Sequence, residues 1–261
     1  MKRWLLFTMA CLLLLQVQAQ PSYQLRKEKD LALSGAGLLI SGISTLLERQ
    51  IEPLSPAEIA ALDRSQINGL DKSITLNWNR NAQKVSDYFM IGSMLAPFTL
   101  LAGKNERTLV KEIFVMGFEA YSFTYGLTIL TKIITLRPRP FLYNNLAPQA
   151  SFEERDSRYA MFSGHTSFSA VGCFLTAKIF NDLHPDSPWR LPVWGLAATV
   201  PAVTGYLRVK GGKHFISDVM LGYGVGALIG WGIPALHKVS IANKTIDVYP
   251  TPGGVGMQLK F

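Results

Sequence analysis

Six stretches of this 261-residue chain are nearly free of charge: Leu31 to Leu47, Tyr88 to Gly103, Ile113 to Thr131, Thr166 to Ala177, Leu191 to Leu207 and Val219 to Leu236. The fourth is the shortest and runs on through Lys178 to Phe180, and the third carries Glu119. All are rich in Gly, Ala, Ser and Leu, and small residues let helices approach closely, as in membrane bundles. None reaches the ~20 clean apolar residues of a comfortable span. They read as short or tilted spans, or as buried helices of an apolar bundle, and the membrane reading is preferred. The expected fold class is all-α, an apolar bundle of about six helices embedded in a membrane, with a short C-terminal tail that could be β. Mean hydropathy of +0.18 and 48% hydrophobic residues fit a chain more apolar than most soluble domains.

The start, "MKRWLLFTMACLLLLQVQAQPS", has the form of a secretory signal: basic Lys2 and Arg3, an apolar Trp4 to Leu15, and Val17-Gln18-Ala19 as a cleavage site. An uncleaved anchor is the alternative, but ~12 apolar residues are short for a span. The expected division is a signal peptide over 1–19, a helical domain over 20–240 and a tail over 241–261. Cys11 leaves with the signal and Cys173 lies in an apolar stretch, so neither a disulfide framework nor a thiolate metal site is expected. The formal charge is +8, and +6 without Lys2 and Arg3. A basic balance suits an anionic surface or substrate. The cations are scattered and no zinc-finger, helix-turn-helix or basic-aromatic pattern occurs, so nucleic acid is not expected as a partner.

Between the first two stretches, "LSPAEIAALD" reads as a short helix with Ser55 as N-cap and Pro56 at the first helical position. There are no repeats. In "TIDVYPTPGGVGMQLKF", Val255, Met257, Leu259 and Phe261 alternate with Gly256, Gln258 and Lys260. Two short strands about "PTPGG" or a frayed tail are both open.

Three places bring polar groups to the ends of apolar stretches. In "KIITLRPRPF" Lys132 is followed after six residues by Arg139-Pro140; "SGH" is Ser163, Gly164 and His165; in "LRVKGGKHFISD" Arg208, His214 and Asp218 follow one another. Each has a plain structural reading. Lys132 and Arg139 could be interfacial cations with snorkelling stems. Ser163 could be an N-cap with His165 in the first turn. His214 and Asp218, at i and i+4, could be a helix-start pair. Together they supply what holds a tetrahedral anion: guanidinium forks that fit phosphate oxygens, a hydroxyl, a glycine N–H and two imidazoles. A carboxylate one turn from His214 could fix its tautomer and leave the other nitrogen free to attack.

These segments resemble the three-part signature of the type 2 phosphatidic acid phosphatase and vanadium haloperoxidase superfamily: Lys-x6-Arg-Pro, Pro-Ser-Gly-His and Ser-Arg-x5-His-x3-Asp. Nine of eleven positions match, in order, over Ile113 to His237; Phe162 stands where Pro is usual and Leu207 where Ser is usual. The resemblance implies phosphoester hydrolysis through a phosphohistidine, with neither metal nor other cofactor. His214 would attack phosphorus with Asp218 orienting it. His165 would protonate the leaving oxygen and then activate water. Lys132, Arg139, Ser163, the Gly164 N–H and Arg208 would stabilise the phosphoryl oxygens. No carboxylate cluster that could hold Mg²⁺ lies near these motifs.

A lipid phosphate or diphosphate is the expected substrate, of the phosphatidic acid, phosphatidylglycerol phosphate, undecaprenyl diphosphate or lipid A type, with membrane lipids as the other partners. The alternatives are a soluble periplasmic acid phosphatase, a vanadium-dependent haloperoxidase, and a scaffold that only grips phosphate. Lys210 and Lys213 could hold a second phosphate or be surface lysines, and "SFEERDSRY" could be a lid or a solvated loop. The expected location is a bacterial envelope membrane with the site facing the periplasm. Six full spans after a cleaved signal would put Lys132 on the other face, so one segment should fail to span, the leader should remain, or the bundle is not of the usual inner-membrane kind.

Overall fold

In a computed structural model the described residues are 23–104, 106–144, 146–148, 151–152, 154–239, 245–251 and 254–260. The signal reading of 1–19 lies outside them. Seven α-helices are present among the described residues: α1 Lys27–Glu48, α2 Pro56–Ala60, α3 Arg80–Thr99, α4 Val110–Thr135, α5 Gly164–Leu183, α6 Arg190–Lys210 and α7 Ile216–His237. The six long ones coincide with the six apolar stretches. Short α2 is held by a capping box, with the Glu58 N–H on Ser55 Oγ at 3.2 Å and the Ser55 N–H on Glu58 Oε2 at 2.7 Å.

Residues Leu25–His237 form one compact unit. Within it α5 is the central helix, packed by α3, α4, α6 and α7, while α1 lies along α4. Glycines set the closest approaches. Gly222, Gly226 and Gly230 make a row down α7, and a Cβ on them would meet the carbonyls of Ser163, Ser167 and Val171 of the α5 segment. Such small-residue rows let backbones touch where no water drives association.

The bundle carries hydroxyls among its buried side chains and large apolar side chains on its outside. Ser93, Thr124, Thr128, Ser167, Ser169 and Thr204 are buried, and Ser93, Ser169 and Thr204 link α3, α5 and α6 through hydroxyl contacts of 2.8 and 3.1 Å. Leu31, Leu39, Tyr88, Leu191, Leu196, Met220 and Leu228 stand on the outside, each more than 60% exposed. Water would not tolerate so much open apolar surface, whereas lipid favours it. The segments 27–48, 80–102, 106–143 and 216–237 are long and apolar enough to cross a membrane. Helices α5 and α6 are not among these. The physical reason is clearest for α5: enclosed by its neighbours, it turns little surface outward and can carry hydroxyls, Lys178 and Asp182.

The C-terminal segment forms an antiparallel pair, β1 Thr245–Thr251 and β2 Gly254–Lys260, registered Thr245 to Lys260 and Thr251 to Gly254. Of the two openings for the tail, the hairpin is the one formed. It belongs to a second compact unit with the segment from Lys238 and the chain around Tyr23, where Tyr23 and Lys238 make an isolated bridge.

Candidate active site

Four chain segments end at one place. α4 delivers Lys132 in its last turn and stops at Leu136, whose left-handed backbone (φ 43°) turns the chain out of the helix. The following Arg137-Pro138-Arg139-Pro140 cannot continue a helix, because each proline forces its predecessor out of the helical region. α6 ends with Arg208 in its last turn. The Gly211-Gly212 turn then reverses the chain: Gly212 has φ +72°, and a Cβ there would strike the Asn77 carbonyl. This turn presents His214 just ahead of α7. Ser163 N-caps α5, its Oγ accepting from the Thr166 N–H and hydroxyl, and its own N–H donates to the Asp218 carbonyl at 3.0 Å. The structure therefore brings Lys132, Arg139, Ser163, Gly164, His165, Arg208, His214 and Asp218 to one end of the bundle. The plain role of Ser163 holds alongside: it is buried and caps its helix, with its hydroxyl hydrogen still available to donate.

His214 is 1% exposed. Its Nδ1 lies 2.6 Å from the Ala160 carbonyl, which can only accept, so Nδ1 carries the proton and Nε2 the lone pair. Nε2 faces the Arg139 guanidinium at 3.3 Å. Burial, then the charges of Arg139, Arg208 and Lys132, hold this imidazole well below its ordinary range, so it is neutral at pH 7.

Here the structure corrects the expectation for Asp218. Its Oδ2 is 3.9 Å from Nδ1 of His214, too far for a hydrogen bond, and instead accepts the Phe215 N–H at 2.8 Å. His214 precedes α7 rather than lying on it, so the i, i+4 face does not form, and a backbone carbonyl fixes the tautomer in its place. Fully buried Asp218 is paired with Arg137, which also bonds Ser217 Oγ at 2.8 Å and Asp71 Oδ2 at 2.9 Å. Asp71 in turn accepts the Ser217 N–H and hydroxyl. This network anchors the first turn of α7, and so the loop bearing His214.

Arg139, 3% exposed, donates Nε to the Asp156 carbonyl (2.7 Å), one Nη to Asp156 Oδ1 (2.6 Å) and the other to the Lys213 carbonyl (2.8 Å). Burial pushes the Asp156 carboxyl up, but Arg139 and Lys132 outweigh that and hold it at about 2. The "SFEERDSRY" segment is thus neither a free lid nor a wholly solvated loop: its Arg155–Arg158 turn is fastened to Arg139. His165 Nε2 contacts Asp87 Oδ1 of α3 at 2.7 Å, and Arg208 lies 3.7 Å from the same oxygen while donating to Ser86 Oγ at 3.2 Å. Burial and the Arg208 charge bring His165 down to about 4 against the pull of Asp87. Buried Nε of Arg208 has no partner among the described residues. Lys213 lies over the Phe141 ring (4.9 Å) and the Trp78 ring (5.7 Å) on the site side, whereas Lys210 is exposed.

Asp87, Asp156, Arg137, Asp71 and the Ala160 carbonyl were not singled out by sequence. Asp87 had the one visible cue, a carboxylate abutting an apolar stretch.

A cluster of cations with two imidazoles at one end of a helical bundle is equipped to handle a phosphoester. Residues 113–241 match the PAP2 superfamily model, so this part of the chain is a PAP2-superfamily domain, and the chain is a phosphatase, a phosphoric monoester hydrolase. Among solved structures, the chain is similar to one described as the first transmembrane PAP2 type phosphatidylglycerolphosphate phosphatase from Bacillus subtilis. Identity is 20%, the TM-score is 0.45, and the match covers 80% of this chain and 95% of that one. No curated protein matches the chain.

Proposed function

We propose that the protein removes phosphate from a lipid phosphate or diphosphate through a phosphohistidine on His214. The observation that carries this reading is the tautomer: Nδ1–H on the Ala160 carbonyl leaves the Nε2 lone pair among three cations. Nε2 forms the bond to phosphorus as the ester P–O bond breaks, and His165, oriented by Asp87 and protonated once the bound phosphate offsets the Arg208 charge, gives its proton to the leaving oxygen. Water then yields a proton to His165, bonds phosphorus and releases Nε2. Lys132, Arg139, Ser163, the Gly164 N–H at the start of α5 and Arg208 spread the charge of the equatorial oxygens. Asp218 acts as a positioning residue through Phe215.

The lipid part rests on surface and cavity. A recess of about 570 Å³ between α3, α5 and α6, lined by Tyr88, Phe89, Cys173, Val193, Leu196 and Val200, begins one residue from Asp87 and suits an acyl or prenyl chain. The leader sequence and the apolar exterior support a bacterial envelope membrane, with signal, helical domain and tail divided at 19 and 240 and the site on the exported side.

The test is phosphate release by purified protein in detergent and EDTA, offered phosphatidic acid, phosphatidylglycerol phosphate, undecaprenyl diphosphate, a lipid A and p-nitrophenyl phosphate, with and without vanadate. Vanadate-sensitive release from a lipid is expected. Release from the soluble ester alone would replace this reading with an acid phosphatase. Bromide oxidation in vanadate and peroxide, without phosphate release, would replace it with a haloperoxidase.

A further inference from the structure

The far end of the bundle holds a second group of ionisable side chains that phosphate chemistry does not use. Asp30 of α1, Glu119 of α4 and His237 of α7 converge, with one ligand atom from each lying within 4.8 Å of the others. Glu119 and His237 are buried, and Asp30 is 14% exposed. By helix rise, Glu119 is about 20 Å along α4 from Lys132, so the group is distinct from the anion site.

His237 Nδ1 donates to the Ile233 carbonyl at 2.9 Å, which turns Nε2 into the cluster, where a cation would take its lone pair in place of a proton. Nε2 lies 3.1 Å from Asp30 Oδ1 and 3.4 Å from Glu119 Oε2. A tetrahedral ion with ligand bonds of about 2.0–2.1 Å requires ligand atoms about 3.3 Å apart. Glu119 Oε2 is buried and receives no hydrogen bond among the described residues, while Oε1 accepts from Ser34 Oγ at 3.3 Å. A backbone-held imidazole, two carboxylates within ligand distance of it and a buried carboxylate oxygen that receives no hydrogen bond among the described residues are the marks of a site for a divalent cation.

We propose that Asp30, Glu119 and His237 bind a zinc-class divalent cation that clamps α1 and α7 to α4. The ion is structural, and the inference does not rest on the phosphatase reading. The test uses full-length protein in detergent, freed of any affinity tag, loaded with zinc chloride and desalted. Mass spectrometry of the metal should find about one equivalent. His237→Gln and Glu119→Gln should lose it, and Asp156→Asn at the other end should keep it. Chelation should lower Tm of the wild type by several degrees and leave that of His237→Gln unchanged. Wild-type protein that retains no zinc, or both variants retaining it, would overturn the proposal in favour of an imidazolium paired with two carboxylates. Should a variant fail to fold, the wild-type metal content and chelator shift decide alone.

Discussion

His214 and His237 stand at opposite ends of α7 and share one arrangement: each donates Nδ1–H to a backbone carbonyl, of Ala160 and of Ile233, and turns Nε2 inward. Their surroundings are opposite in sign. Nε2 of His214 meets Arg139, with Arg208 and Lys132 near; Nε2 of His237 meets Asp30 and Glu119. A carbonyl makes Nδ1 the donor in each, and the charges around Nε2 settle what that nitrogen is offered. An oxyanion suits the first and a cation the second.

Replacing each histidine is the hardest test of that contrast. His214→Ala should lower kcat by about 10³-fold or more while vanadate still binds, since the cations remain. His237→Ala should leave kcat within about twofold when assayed well below its Tm. Equal losses in both, measured by phosphate release, would erase the distinction.

The carboxylates differ in the same way. At the anion end the buried Asp71 and Asp218 are both paired with Arg137. Arg137→Ala would strand two buried charges and should cost about 3 kcal/mol in chemical denaturation. A loss below about 1 kcal/mol would show that Arg137 is not their main compensation. Asp87→Asn should reduce kcat by about tenfold to a hundredfold with little change in KM, because His165 loses its orienting carboxylate; a change confined to KM would assign Asp87 to binding.

The smallest effect is in pH. His214 is held below its ordinary 6.5, so the unfolded chain binds this proton more readily than the folded one. Its contribution to stability is present above 6.5 and declines as pH falls below that value, by at most about 1.4 kcal/mol per unit. Asp156, at about 2 against 3.8 unfolded, contributes above 3.8 and loses this only as pH falls towards 2, so it does not confuse the window between 6.5 and 5. Thermal unfolding of wild type and His214→Asn over that window should differ in slope. Parallel curves would mean that His214 titrates normally.

Much of the bundle was legible because burial in lipid or core leaves a compositional trace. Six charge-poor stretches became six long helices, and Ser55 became the N-cap of α2. The alternation from Val255 left a hairpin and a frayed tail open, and the hairpin formed. The signature positions converge because three of the segments sit at helix ends, where turns of fixed chemistry follow. What was not legible came through contacts with no sequence spacing. Asp87 reaches His165 across 78 residues and Asp71 reaches Ser217 across 146. The Ala160 carbonyl is a backbone group that any residue would supply, and no pattern could have preferred it to Asp218.

The sequence by itself determined the kinds of group available, cations, imidazoles and hydroxyls at the ends of apolar segments, because residue type sets charge and hydropathy wherever it is placed. Tertiary structure alone decided which groups meet. It gave His214 its tautomer, Asp156 to Arg139, Asp218 to Arg137 and Phe215 rather than to the imidazole, and Asp30, Glu119 and His237 to one another. Those pairings depend on distances of a few ångströms between helices packed over glycine rows, and such distances exist only once the chain has folded.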